Sequence, residues 1–224
     1  MTEVRQIKSE DTKDWLLNIH YAKRIPSISY AFGLYINNEL FGIVTYGTPA
    51  SSSLRVGVAG KENQKYVLEL NRLVFKKEIK NGASILISKS FKYLPKPSII
   101  VSYADMEQGH VGYVYQACNF IYTGLSAKRT DWKIKGMEHL HGQTIADMSR
   151  NVIGSRVEYM KKTYGSDFYL KERSRKYRYV YILGNKYEKA YLKKQLLYKE
   201  EKYPKGDTKK YEINYKPNCQ TILL

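Results

Sequence analysis

The order of apolar runs between residues 30 and 124 is the sequence feature that most constrains the fold. Alternating or continuous apolar residues indicate strands at Tyr30–Ile36 and Leu40–Thr45, with the tight-turn composition Asn37-Asn38-Glu39 between them. Tyr66–Phe75 also alternates, and Ser98–Ala104 is an apolar run of the buried-strand type. These runs predict a hairpin followed by two further strands.

Apolar residues at helical spacing separate or precede those strands. They predict helices over Asp11–Tyr21, Ala83–Leu94 and His110–Asn119, the second ended by Pro95 and Pro97. Gly47–Ser53 has the composition of a loop, and Phe120–Gly124 can add a strand. The resulting order favours an α/β (α+β) fold, in which an open mixed β-sheet is flanked by helices.

Charge points to the class of partner. The 224 residues hold 38 Lys+Arg and 21 Asp+Glu, a net charge of +17. Such an excess favours a polyanion, most commonly nucleic acid, although a basic surface with no partner is the alternative. The residues after Arg150 hold 18 Lys+Arg, 8 Asp+Glu and 12 of the 22 tyrosines. Cations suit phosphates and rings stack on displaced bases, so this region is the predicted contact with DNA.

The lysine-rich end suggests how the chain is organised. We predict a catalytic domain over residues 1–184 and a basic Lys/Tyr-rich tail over 185–224, which can pack on the same domain. No apolar run approaches the roughly 20 residues that cross a bilayer, and the first residues carry no signal-like segment. We therefore expect a cytoplasmic protein without a membrane partner. The oligomeric state is left open, with a homodimer as one alternative.

Several polar residues stand at the ends of predicted elements: His20, Tyr21, Asp105, His110 and Tyr115. Imidazole, carboxylate and phenolate together could bind a transition metal such as iron, or could share out proton transfer. The alternative is that each is a hydrogen-bonded structural residue. Glycine-rich nucleotide fingerprints, HExxH, paired CxxC and GxSxG are absent from the sequence, which argues against several common enzyme classes.

The loop Lys77–Ser84 lies between a predicted strand and a predicted helix. A helix N-terminus offers N–H groups to an anion, so the loop could hold a phosphate. The alternative is that Ser84 simply caps the helix.

Four segments carry a resemblance to a known family: NIHYAKRIPSISYAFGLY at Asn18–Tyr35, TYGTPAS at Thr45–Ser51, LELNRLVF at Leu68–Phe75, and VSYADMEQGHVGYVYQACNFIYTG at Val101–Gly124. They resemble the Mom family of bacteriophage proteins, which have a GNAT-like acyltransferase fold. The resemblance extends more loosely through HGQTIAD at His141–Asp147 and RSRKYRYVYILG at Arg173–Gly184. It implies an enzyme that adds a methylcarbamoyl (acetamido-type) group to N6 of adenine in double-stranded DNA and so protects phage DNA from host restriction.

The resemblance also implies roles for particular residues. The implied catalytic residues are His20, Tyr21, Arg72, Ser84, Asp105 and Tyr115. Among these, His20, Tyr21 and Asp105 are the implied iron neighbourhood. The implied residues of the cofactor groove, for acetyl-CoA or a related acyl donor, are Arg72, Asn81, Gly82 and Ser84. Because Gly82 is the only glycine of that loop, the glycine-rich cradle of acetyl-CoA enzymes is missing, which argues against CoA.

The basic residues expected to contact DNA are Lys128, Arg129, Arg173, Arg175, Lys176 and Arg178. Two other functions compete with DNA modification. One is an acetyl-CoA-dependent N-acetyltransferase acting on a protein or a small amine. The other is a non-catalytic DNA-binding protein that uses its basic residues alone.

Overall fold

The computed structural model describes residues 2–206, which form two compact units. The described part of the first unit is 2–125 with 176–206, and the second unit is 126–175. This division differs from the one expected from the sequence, 1–184 and 185–224, which stays a prediction. Residues 207–224 of the expected tail lie outside the described residues.

The strands lie in two sheets. They are β1 (Thr2–Gln6), β2 (Tyr30–Ile36), β3 (Glu39–Gly47), β4 (Val67–Phe75), β5 (Ser98–Asp105), β6 (Ile121–Leu125), β7 (Arg129–Ile134), β8 (Phe168–Arg173) and β9 (Lys176–Leu183). The first unit contains a seven-stranded sheet in the order β1-β2-β3-β4-β5-β9-β6. Its neighbours are antiparallel except β4 and β5, which are parallel. The predicted open mixed sheet with helices is therefore confirmed.

The helices are α1 (Ser52–Asn63), α2 (Gly82–Ser90), α3 (Tyr113–Ala117), α4 (Gly142–Asp147), α5 (Arg156–Tyr164) and α6 (Lys186–Gln195). Two of the predicted helices are present but shorter, since α2 ends at Ser90 and α3 spans only Tyr113–Ala117. The predicted helix at Asp11–Tyr21 consists of a 3-10 turn at Glu10–Thr12 and a π-helical turn at Trp15–Ile19. No helix of the described residues is long and apolar enough to cross a membrane.

The hairpin of β2 and β3 follows directly from its turn sequence. Asn37 and Asn38 both have positive φ, 50° and 69°. Asparagine tolerates this conformation, and two such residues match the twist of a two-residue hairpin. The predicted hairpin and turn are confirmed.

Two helix layers cover opposite faces of the large sheet. On one face, α2 and α3 bury side chains such as Leu86, Phe91 and Tyr115 against β2–β5 and β9. On the other face, α1 and α6 contribute Val58 and Leu192 to a second apolar cluster with β4, β5 and β9. Trp15 and Leu16 of the π-helical turn pack on Val74 and Ile43 of that second face. The sheet is buried on both sides, which explains its nearly continuous apolar strands.

The second unit has a core of its own. Strands β7 and β8 form an antiparallel pair from Arg129↔Arg173 to Ile134↔Phe168. Ile134, Ile145, Met160 and Phe168 form its buried cluster. This unit is inserted in the chain between β6 and β9.

Candidate functional site

The gap between the parallel strands β4 and β5 is where the candidate site is built. The two strands pair only from Val67↔Ile99 to Glu69↔Val101, although both continue beyond those residues. The Ser102 hydroxyl donates to the Leu70 carbonyl at 2.9 Å, where the ladder ends. Beyond that point the carboxyl ends of the two strands are unpaired with each other. In open sheets with parallel strands, such ends are the usual place for a ligand.

Strand periodicity brings three charged residues to one face of the sheet at this gap. Val67, Val101 and Val180 lie in the same apolar cluster. Because side chains alternate along a strand, Glu69, Asp105 and Lys176 occupy that same face.

A bulge in β4 brings Arg72 to the same face as Glu69. Arg72 pairs with Thr45 and Leu70 with Tyr46, so Asn71 is an extra residue in the ladder. Without the bulge, residues 69 and 72 would point to opposite faces. The Asn71 side chain stabilises the bulge, since it accepts from Thr45 Oγ1 at 2.5 Å. Asn71 also donates to the Ser27 carbonyl at 2.8 Å.

Asp105 and Lys176 are direct register partners on β5 and β9. The Lys176 Nζ lies 2.6 Å from Asp105 Oδ2, and the carboxylate is only 9% exposed. The backbone N–H of Glu107 donates to Asp105 Oδ1 at 3.1 Å. Both carboxylate oxygens of Asp105 therefore have a donor within the protein.

The π-helical turn ends at His20, which is buried. The backbone N–H of Ala22 donates to His20 Nδ1 at 3.0 Å, and the Tyr21 ring stacks on the imidazole with a centroid distance of 4.4 Å. Burial, together with the charges of Arg72, His110 and Lys176, lowers the pKa of His20 to about 3. His20 is therefore a neutral imidazole at physiological pH, and the charged groups of this gap affect its pKa.

Arg72 and Glu69 are electrostatically coupled. The Arg72 Nη1 donates to the Asn71 carbonyl at 2.6 Å and Nη2 to the Arg24 carbonyl at 3.3 Å, whereas Nε is buried with no partner among the described residues. Burial lowers the pKa of Arg72. Burial raises the pKa of Glu69, and the positive charges of Arg72 and Lys176 partly counteract that rise. The half-buried carboxyl of Glu69 thus titrates closer to neutral pH than an ordinary glutamate.

Tyr115 reaches the gap from the opposite helix layer. It is buried against Phe120 and Tyr179, with ring centroids 5.3 Å away in both cases. Burial outweighs a hydrogen bond with Ser102 and, together with the charges of Tyr21 and Glu69, raises the pKa of Tyr115 to about 12. Tyr115 is therefore a neutral phenol.

Five of the sequence-predicted site residues thus meet at this gap: His20, Tyr21, Arg72, Asp105 and Tyr115. His110 belongs to the same group, since its backbone N–H donates to the Asp105 carbonyl at 3.1 Å. Burial lowers the pKa of His110, and Asp105 opposes that shift.

The Asp105 carboxylate and the Nδ1 atom of His20 already have hydrogen-bonding partners within the protein. The described residues contain no group of three or more His, Cys, Asp or Glu that could hold a metal ion. Both oxygens of Asp105 have donors, and His20 Nδ1 accepts a hydrogen bond, which leaves the proton of the neutral ring on Nε2. The predicted iron neighbourhood of His20, Tyr21 and Asp105 stays a prediction.

The predicted cofactor loop packs tightly around Gly82. Asn81 has φ 58°, and a Cβ on Gly82 would meet Ile79 and Phe75 at 2.8 and 3.0 Å. Gly82 is thus required for packing. The Ser84 hydroxyl donates to the Asn81 carbonyl at 3.0 Å, as part of the first turn of α2.

Ser84 also lines a cavity of about 490 Å³ that lies along α2. The other lining residues are Ile85, Ser88, Phe91, Lys92, Lys96, Ala117, Cys118, Asn119, Tyr181, Leu183, Gly184 and Lys189. Burial raises the pKa of Cys118 to about 11, so its thiol is neutral and not a nucleophile. Apart from Ser84, the cavity contains none of the predicted catalytic residues.

The six residues expected to contact DNA are placed differently from one another. Lys128 and Arg129 are exposed. Arg173 is half-buried with its guanidinium 3.9 Å from Asp131, and the Arg175 Nε donates to the Ser126 carbonyl at 2.7 Å.

The remaining two are used inside the protein. Lys176 binds Asp105, and Arg178 is only 8% exposed. Arg178 donates to the Thr123 carbonyl at 2.6 Å and to its hydroxyl at 3.0 Å, with the Tyr198 ring centroid 3.3 Å away. This burial corrects the expectation for Arg178, because an inward guanidinium stabilises β6 and β9 and cannot reach a phosphate.

Sequence reasoning missed Glu69 and assigned Lys176 to DNA alone. The signal for Glu69 was present, since a charged residue interrupts the apolar run of β4 two positions before Asn71. No pattern in the sequence indicated that Lys176 is the register partner of Asp105.

The family model of the Mom protein family matches residues 1–205. The chain belongs to the Mom protein family. A curated relative of this family, the methylcarbamoylase mom of Escherichia phage Mu, is 29% identical over 218 residues, which cover 90% of this chain and 85% of the relative. The Mom resemblance seen in the sequence is confirmed.

Solved acetyltransferases resemble this Mom chain distantly. A GNAT-family acetyltransferase from Bacillus cereus is 14% identical, covering 81% of this chain and 97% of its own, with a TM-score of 0.41. A spermidine/spermine N-acetyltransferase from Vibrio cholerae is 11% identical, covering 87% and 99%, with a TM-score of 0.44. We infer nothing about activity from scores of this size.

Proposed function

We propose that this chain is a DNA-modifying transferase that adds a methylcarbamoyl group to N6 of adenine in double-stranded DNA. The observation that carries the proposal is the match of residues 1–205 to the Mom family, together with the phage Mu relative that is a methylcarbamoylase. The cluster of His20, Tyr21, Arg72, Asp105 and Tyr115 at the gap supports it, because a Mom enzyme needs one place where polar groups surround a base. The modification would protect phage DNA from restriction in the host cytoplasm.

Glu69 is our candidate for the proton acceptor. When a carbon replaces hydrogen on N6, the new N–C bond forms as the donor's leaving group departs with its electron pair, and N6 must lose a proton. A carboxylate whose pKa is raised by burial accepts that proton more readily at neutral pH than an exposed one. Arg72, beside Glu69, is suited to stabilise the negative charge of the leaving group.

The cavity along α2 is our candidate place for the donor of the group. The cavity along α2 has three lysines at its rim, Lys92, Lys96 and Lys189, and two hydroxyls, Ser84 and Ser88. Lysines suit phosphates, so an acyl donor of the acetyl-CoA class would bind there through its phosphate groups. Iron has no step in this proposal.

Nucleoside mass spectrometry tests the function directly. Plasmid DNA from cells that express the protein is digested, and we expect deoxyadenosine carrying a methylcarbamoyl group. Glu69→Gln should reduce the modified fraction about 100-fold or more, the usual effect of removing a general base. Glu62→Gln, on exposed α1, is the matched control and should leave the fraction unchanged.

Two results would refute the proposal. If DNA from cells that contain abundant folded protein holds only unmodified deoxyadenosine, the DNA-modifying function is refuted. Acetyl transfer to a protein or polyamine from acetyl-CoA, without any DNA adduct, would establish the N-acetyltransferase function instead.

A further inference from the structure

The loop between α4 and α5 presents one apolar side chain entirely to solvent. Ile153 is 101% exposed, which is more than any other large hydrophobic residue among those described. Gly154 follows it with φ 99°, a conformation that other residues rarely adopt. No atom lies within 4 Å of the position of a Cβ on Gly154, so this turn stands away from the rest of the chain.

The base of the loop is held firmly, in contrast to its tip. Ser149 is fully buried, and the Arg156 Nε donates to its hydroxyl at 3.1 Å. Arg156 also donates to the Ala146 carbonyl, and its guanidinium lies 5.5 Å from the Trp132 ring centroid. The N–H of Val152 donates to the Ser149 carbonyl at 3.2 Å. One arginine therefore joins both ends of the loop to the core of the second unit.

Single exposed apolar residues are common on protein surfaces and need no explanation by themselves. Here the full exposure of Ile153 coincides with a fixed base, so little conformational entropy is lost when the tip enters a partner. A flexible loop with the same residue would lack that advantage.

The charge of the second unit indicates the chemistry of that partner. Residues 126–175 hold eleven Lys or Arg and six Asp or Glu. Arg150, in the same loop, and Lys161 and Lys162, on α5, are exposed. An apolar tip among exposed cations is the combination by which proteins bind phosphates and insert a wedge between stacked bases.

We propose that residues 148–155, with Ile153 at the tip, form a wedge that enters the DNA duplex and unstacks a base step. This inference rests on the proposed function, since it takes duplex DNA as the partner. Unstacking costs a few kcal/mol per step, and the contacts of Ile153 with the exposed base faces offset part of that cost. A base next to an opened step is easier to rotate out of the helix, which modification of N6 within a duplex requires.

The test uses the full-length protein and a short duplex that contains 2-aminopurine, whose fluorescence rises when its stacking is lost. We expect the wild-type protein to raise this fluorescence and Ile153→Ala to lose the rise. Ile153→Ala should weaken duplex binding about tenfold, as expected when a buried aliphatic contact is removed. The salt dependence of binding should be unchanged, because no charge is removed.

Leu197→Ala is the matched control. Leu197 is an exposed aliphatic residue, 62% accessible, in the other compact unit. We expect it to bind and unstack DNA as the wild type does. Thermal unfolding should be the same for both variants and the wild type, because neither side chain is buried.

Binding and fluorescence unchanged by Ile153→Ala would overturn the wedge. So would Ile153-dependent binding to vesicles of anionic phospholipid with no effect on DNA, since the partner would then be a lipid surface. The experiments distinguish a failure of the wedge hypothesis from a failure of the proposed function. Absence of the adenine adduct with wild-type protein refutes the modification, whereas the response of 2-aminopurine to Ile153→Ala decides the wedge alone.

Discussion

Acidification should destabilise this protein through His20, and the size of the effect can be worked out. The pKa of His20 is about 3 in the folded protein against 6.5 for an ordinary histidine. Between these values the unfolded chain binds a proton that the folded protein does not, so the free energy of unfolding falls as the pH falls. From linkage, His20 alone removes about 1.4 kcal/mol at pH 5.5 and about 2 kcal/mol at pH 5.0, relative to high pH.

The low pKa of His20 has several causes, which come from the residues packed around the imidazole. Burial is the largest contribution, and Arg72, His110 and Lys176 all oppose a positive charge on the ring. None of these neighbours offers a carboxylate to His20, so protonation has no compensating partner among them. His110 adds a change of the same sign, since burial lowers its pKa as well.

The assay is chemical denaturation from pH 7.5 to 5.0, comparing the wild type with His20→Gln. Other groups titrate in this range in both proteins, so the difference between the two curves isolates His20. We expect the wild type to lose about 1.4 kcal/mol more than the variant by pH 5.5, or roughly 3–6 °C in melting temperature. The exposed His139→Gln is the control and should follow the wild type. Parallel wild-type and His20→Gln curves would refute the reasoning.

Substitutions at three further positions test the packing around the gap. Gly47→Ala should cost about 2 kcal/mol of stability by denaturation, because its Cβ would collide with the Ser27 carbonyl; an unchanged stability would mean that this loop yields. Lys176→Met should cost about 3 kcal/mol and Lys176→Arg much less, because the buried Asp105 carboxylate would lose its cation; equal stability of the two variants would contradict the ion pair. Arg178→Lys should cost about 1–2 kcal/mol, because an ammonium cannot replace its buried fork of hydrogen bonds; an unchanged stability would mean that the fork does not stabilise β6 and β9.

The central sheet could be predicted because its strands carry strong local signals. The hairpin of β2 and β3 and the apolar run of β5 were recognised from alternation and from the Asn37-Asn38 turn. By contrast α1 was missed. Gly57 and Gly60 weaken the helical signal of α1, and Gly60 interrupts the helix with φ 75°. A helix that contains such residues forms because Val58 and Leu54 pack on the sheet, which no local pattern reports.

The second unit was not recognised as a unit for a similar reason. Its strands β7 and β8 are separated by 33 residues of the chain, 135–167, so no short turn identifies them as a hairpin. Its buried cluster is small, and Arg156, whose guanidinium packs on the Trp132 ring, reads in the sequence as one more surface cation. Only the pairing of β7 with β8 shows that its guanidinium lies over Trp132.

The composition of the candidate site depends on two features that one-dimensional patterns cannot supply. The sequence names Asp105 and Lys176, but their contact depends on the register of β5 against β9, and a shift by one residue would send one of them to the opposite face. The sequence also shows Glu69 and Arg72 three positions apart, a spacing that separates them in a regular strand. The extra residue at Asn71 reverses that expectation and places the carboxyl and the guanidinium on the same face, where they interact electrostatically. The composition of the site therefore depends on the bulge, because the extra residue gives Glu69 and Arg72 the same face of the sheet although they are three positions apart.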